Sequence, residues 1–148
     1  MKIITKMVKE QPLTITVEYP ILDSCTQHII NKIKSFDLFL NVKHKEQMIR
    51  VSNMEICYIE TLERKTFIYT QDEIYQSDKT LYELENLFSE TSIVRISRSC
   101  LMNTDMLYGI KQLKNSQLEA TMNNGEKLIV ARTYLKNIKK MFAQKEGK

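Results

Sequence analysis

From Leu13 to Tyr19, the apolar Leu13, Ile15, Val17 and Tyr19 alternate with Thr14, Thr16 and Glu18. That period of two marks a half-buried strand, and Pro20 closes it. The period then changes. Asp23 and Ser24 are both residues that cap helix N-termini, and Ile29, Ile30, Ile33 and Phe36 fall at helical spacing, which predicts a helix over 24–36. From residue 38 onward short β-like runs follow: Leu38–Lys43, Gln47–Val51, Met54–Glu60, Thr66–Thr70 and Glu73–Gln76. The polar intervals 44–46 and 63–65 are of hairpin-loop length, so sequential antiparallel pairing is the simplest topology.

One further helix interrupts the strands. Thr80 and Glu83 have capping-box spacing, and Leu81, Leu84, Leu87 and Phe88 mark one apolar face. Strands resume at Ile93–Ser97, Met106–Leu113, Gln117–Met122 and Lys127–Ala131. Lys114-Asn115-Ser116 and Asn123-Asn124-Gly125 separate the last three, and Asn-Gly is a strong turn signal because both residues tolerate positive φ. The final segment is amphipathic, with Leu135, Ile138 and Phe142 set to face inward and Lys136, Lys139 and Lys140 outward. There is no internal repeat and no low-complexity tract. The pattern describes a mainly β fold with short helices, divided into a strand-helix extension over 1–37 and a β domain over 38–148.

Composition narrows the function classes. A chain of 148 residues with 43% hydrophobic and 27% charged side chains has a core to bury, which excludes wholesale disorder. No run approaches the ~18 apolar residues of a membrane span, and the N-terminus lacks a signal-peptide core, so no membrane insertion and a cytoplasmic location are expected. Cys25, Cys57 and Cys100 are odd in number and far apart, which predicts free, mostly buried thiols. Cys100, in an apolar strand-like run, reads as a small buried hydrophobe rather than a redox sensor. His28 and His44 are isolated from other ligand types, so no metal site is expected. Without a phosphate-cradling glycine loop, a nucleophile elbow or paired carboxylates, neither a cofactor nor an enzyme is expected. The net charge of +4 is a weak signal, but its distribution is not. Residues 54–92 carry nine acidic against three basic groups, and residues 111–148 carry nine basic against three acidic, so the C-terminal part favours a polyanion.

Three stretches in this order resemble the LytTR family of DNA-binding domains over roughly residues 38–145. The first is Met54-Glu55-Ile56-Cys57-Tyr58-Ile59-Glu60, similar to the family's strand ending in an aromatic or apolar pair and Glu. The second, Val94-Arg95-Ile96-Ser97-Arg98-Ser99-Cys100-Leu101-Met102-Asn103, is the most specific and looks like the family's Arg, two variable positions, Ser, three apolar residues and Asn. The third is Asn124-Gly125 followed by Lys127-Leu128-Ile129-Val130-Ala131-Arg132-Thr133-Tyr134, where Ala131 stands in place of the usual Ser. The resemblance implies a compact LytTR-like arrangement of small antiparallel sheets that inserts loops, not a recognition helix, into successive grooves of double-stranded DNA.

The resemblance assigns base-edge contacts to Arg64, Lys65, Arg98 and Arg132. Arginine suits that role because it holds guanine bidentately through O6 and N7. Arg95, Ser99, Thr133 and Lys136 are then candidates for phosphate contacts, which set register and most of the affinity without reading sequence. Arg95 has a second reading, as the structural partner of a carboxylate on the acidic helix at 80–90. Only some 37 residues precede the domain, too few for a receiver in the same chain, so phosphorelay control by such a receiver is not expected. Those residues are too few for an independent core. They either form a homodimer interface, through the strand at 13–19 and the apolar face of the helix, or fold back to complete the monomer's core. The leading functional expectation is a sequence-specific transcriptional regulator. Its rival is a protein-interaction module or anti-activator that binds another regulatory protein.

Overall fold

The computed structural model describes the backbone of residues 1–142 and the side chains as far as Lys139, Asn137 excepted. The orientations expected for Lys140 and Phe142 lie outside the described residues.

Helix α1 (Ser24–Lys34) begins where Asp23 accepts a hydrogen bond from the Thr26 amide at 2.7 Å, and Ser35 ends it. Strands β1 (Phe39–His44) and β2 (Gln47–Ser52) form a hairpin in which Leu40 faces Val51 and Val42 faces Ile49. Its neighbours are β3 (Ile56–Leu62), β4 (Lys65–Thr70) and β5 (Ile74–Ser77), followed by helix α2 (Leu81–Leu87) capped by Thr80. Then come β6 (Ile93–Ser97), β7 (Cys100–Asn103), β8 (Leu107–Gln112), β9 (Leu118–Met122), β10 (Lys127–Val130) and helix α3 (Leu135–Phe142).

A five-stranded antiparallel sheet, in the order β5-β4-β3-β7-β6, is the middle layer. One face carries the β1–β2 hairpin and α2, and Leu40, Val42, Val51, Ile56, Ile59, Ile68, Leu84 and Phe88 pack there. The other face carries the three-stranded sheet β10-β9-β8 and α3, with Cys57, Tyr58, Ile96, Met102, Ala120, Val130 and Ile138 between the layers. Strand β3 is therefore buried on both sides. Its register shifts between Ile56 and Tyr58, and the extra residue puts Ile56 and Ile59 on the same face despite their odd spacing.

Two expectations are corrected. Residues 13–19 form no strand: Leu13 is 94% and Ile15 59% exposed, and no strand among the described residues pairs with them. Alternation suits a sheet face, but a strand also needs a ladder partner for its N–H and C=O groups. Met54 and Glu55 lie outside the strand expected to begin there. Ser52 Oγ accepts from the Met54 amide and Glu55 Oε2 from the Ser52 amide, a capping box that curls 53–55 into a 3-10 turn before β3.

Two buried asparagines fix where segments meet. Asn103 Nδ2 donates to the Ile56 carbonyl at 2.7 Å, joining the end of β7 to the start of β3. Asn53 Nδ2 donates to the Ser35 and Leu38 carbonyls at 2.7 and 3.1 Å, anchoring the C-terminal end of α1. Lys32 adds an ion pair to Asp105 at 2.8 Å. No residue of α1 is fully buried.

Candidate nucleic-acid interface

The β3–β4 turn consists of Glu63 and Arg64, both at positive φ (51° and 65°), and Lys65 opens β4. Two residues of that handedness match the twist of the strands they join. The β6–β7 turn is Arg98-Ser99. Because β7 pairs with β3 on the side opposite β4, the two turns lie side by side at one end of the five-stranded sheet. The Thr61 amide donates to the Ser99 carbonyl at 2.8 Å and locks that adjacency. A third segment reaches the same end: the Ala131 amide donates to the Ile96 carbonyl at 2.8 Å, and Arg132–Tyr134 follows as a 3-10 turn. Arg64, Lys65, Arg98 and Arg132, drawn from distant parts of the chain, are thus gathered at one end of the molecule.

Arg64, Lys65, Arg98, Ser99, Arg132, Thr133 and Lys136 are all exposed. Among the described residues, none of the cations in that set has a carboxylate within ion-pair distance. Arg95 differs. Its Nε donates to Glu85 Oε2 on α2 at 2.6 Å, and its Nη1 donates to the Arg98 and Ser97 carbonyls at 2.8 and 3.3 Å. Its side chain is only 17% exposed. A guanidinium with three partners is held inside the protein framework, whereas the side chains of Arg64, Arg98 and Arg132 make no hydrogen bond or ion pair among the described residues. Ala131 occupies the N-cap position of the Arg132–Tyr134 turn and makes no side-chain cap, so the hydroxyl of a serine there would have a structural use.

The remaining chemistry is structural. Cys57 and Cys100 are buried, and Cys25 is exposed. Burial, with Glu60 nearby, pushes the Cys100 thiol up to about 12, which keeps it a neutral packing group. A polar cleft of about 350 Å3 lies at the opposite end of the fold, between α1 and the 91–94 and 104–105 segments, with the Lys32–Asp105 ion pair on its wall. Among the described residues no group of three or more His, Cys, Asp or Glu side chains could hold a metal.

Two features were not evident in the sequence. Leu118 pairs with both Val130 and Gln112, so the Lys114–Ser116 loop sits at the same end of the three-stranded sheet as Arg132 and adds exposed Lys114 to the basic surface. A single lysine in a turn carries no signal of such a neighbour. A carboxylate of the helix at 80–90 was one of the two expected partners of Arg95, and that Glu85 is the one that meets it depends on how α2 crosses the sheet.

Comparison with known proteins agrees with this fold. The family model of the LytTr DNA-binding domain matches residues 46–143. The sensory transduction protein LytT of Bacillus cereus is 31% identical over 97 residues, which cover 66% of this chain and 39% of that protein. The transcriptional regulatory protein LytR of Staphylococcus aureus is 27% identical over 118 residues, 79% of this chain and 48% of LytR. This chain therefore spans less than half the length of these relatives. A solved LytTr DNA-binding domain from Bacillus cereus superposes with a TM-score of 0.66 at 23% identity, covering 72% of this chain and 98% of that one.

Proposed function

Because the chain belongs to the LytTr DNA-binding domain family, we propose that it is a bacterial transcriptional regulator that binds double-stranded DNA and reads base edges in the major groove from the turn-bearing end of its sheets. The family is a DNA-binding family and not an enzyme family. The observation that carries the reading is the convergence of Arg64, Lys65, Arg98 and Arg132 at that end, with no carboxylate committed to them among the described residues. These four contact bases. Ser99, Thr133 and Lys136 flank them and contact phosphates, and such a protein acts in the cytoplasm. Arg95 supports the β6–β7 turn instead of meeting phosphate.

Exposed apolar side chains on the N-terminal extension, among them Ile21, Leu22 and Phe36 at 73, 52 and 67%, favour a protein contact as well. We assign it to a second copy of this chain. A homodimer sets two reading ends on paired half-sites and gains affinity through effective concentration. A different regulatory protein on the same surface is the alternative occupant.

The test is a titration of the protein against its own promoter-region duplex and a scrambled duplex at several salt concentrations. Arg98→Ala and Arg132→Ala are expected to lose about 1–3 kcal/mol and to flatten preference at one base position each. Lys136→Ala is expected to weaken all sequences alike and to reduce the salt slope by about one. Parent-like binding by both arginine variants would overturn the base-reading assignment.

A further inference from the structure

We propose that Glu85 is a positioning residue for DNA recognition: through Arg95 it holds the β6–β7 turn in the shape that presents Arg98. The proposal rests on the reading that Arg98 meets DNA. Its geometry begins on β6, where Val94 and Ile96 pack toward the three-stranded sheet and Ile93 toward α2. Arg95 shares the Ile93 side, so its guanidinium lies under the helix. Leu81, Leu84 and Phe88 turn inward, and Glu85, next along from Leu84, meets Arg95 at 2.6 Å.

The turn needs such a hold. Strand register slips between Arg95 and Ser97, so the ladder is irregular where the chain reverses, and the carbonyls of the turn are open to side-chain donors. Arg95 supplies two of them, donating to Ser97 O and Arg98 O. Fixing the Arg98 carbonyl fixes the peptide plane after Arg98 and with it the direction in which the Arg98 side chain leaves the backbone. Glu85 keeps Arg95 in that role. Without the carboxylate, the Arg95 guanidinium is an unpaired cation three positions from Arg98, and repulsion together with solvation draws it outward. The planar fork of arginine matters here, since a lysine ammonium cannot bridge a carboxylate and two carbonyls in the same arrangement.

The experiment uses the whole chain with Glu85→Ala, Glu85→Gln, Arg95→Lys and the double variant Glu85→Ala/Arg95→Lys. One arm measures amide exchange at Thr61 and Ser99 in the free protein. The other measures the ratio of affinities for a duplex that the parent selects from a random pool and for a scrambled duplex. Glu85→Ala and Arg95→Lys are each expected to speed exchange at both amides and to lower the affinity ratio about tenfold, with scrambled-duplex affinity held or raised. Glu85→Gln keeps an acceptor for Arg95 and is expected to restore most of the ratio. The double variant is expected to be no worse than either single one, because both break the same linkage. Unchanged exchange in Glu85→Ala overturns the brace. Faster exchange with an unchanged ratio overturns its part in recognition. A parent that selects no preferred duplex overturns the DNA reading and this role together, while the exchange arm still reports whether Glu85 holds the turn.

Discussion

Arg95 and Arg98 stand three positions apart on one hairpin in opposite surroundings. Arg95 is paired and mostly covered, and Arg98 is exposed with no carboxylate partner among the described residues. The cysteines divide the same way. Cys25 is exposed and Cys57 and Cys100 are buried, so an aromatic disulfide reagent at about pH 8 should modify one thiol in the native protein and the other two only after denaturation. Rapid modification of a second thiol would contradict the packing of the five-stranded sheet. Burial, with a contribution from Glu60, raises the Cys100 thiol from 9.0 to about 12, and burial also raises Cys57, Tyr58 and Tyr69. Each of these acids holds its proton more tightly folded than unfolded. Their stabilising contribution is complete below about pH 9 and is lost as pH climbs toward 12. Urea midpoints should therefore stay level up to about pH 9 and fall beyond it, and a Cys100→Ala variant should show a shallower fall.

The hairpins were legible in the sequence because alternation and short polar breaks report a strand face and a reversal locally. Three things were not. The segment 13–19 has the alternation but no partner to complete its ladder. Cys100–Asn103 is buried along its whole length and so shows no alternation, which hid β7 as a separate strand. The β3–β7 pairing joins residues about forty apart, and no local pattern encodes it. Of the candidate contacts, the identities of Arg64, Arg98 and Arg132 were readable by resemblance, but their convergence depends on that long-range pairing and on the Ala131–Ile96 hydrogen bond. At the β3–β4 turn local preference and proposed use conflict, because Arg64 holds a φ of 65° that glycine adopts without strain. Arg64→Gly should raise unfolding stability by about 0.5–1 kcal/mol while weakening DNA binding. A variant that lost stability, or that bound DNA as the parent does, would remove the turn from the proposed interface.

Across the whole molecule, α1 lies beside the cleft at the end opposite the four gathered cations, so the proposed dimer contact and the proposed DNA contact can be tested apart. Leu22→Asp combined with Phe36→Asp should yield a folded monomer that still binds a single half-site and loses its tight binding to the paired site. A parent that sediments as a monomer at all accessible concentrations would eliminate the dimer. Within one copy, the tips at 63–64 and 98–99 are held by four consecutive strands, β4, β3, β7 and β6. The centres of the two hairpins are therefore two strand spacings apart, about 10 Å. B-DNA rises 3.4 Å per base pair, so in the proposed complex, with the sheet's strand-to-strand direction laid along the duplex axis, that separation spans roughly three base pairs. The backbone ladder acts as a ruler whose graduations no tip substitution can move. In the proposed complex, exchanging the side chains at Arg64 or Arg98 changes which letters are read and leaves the distance between the tips as it was.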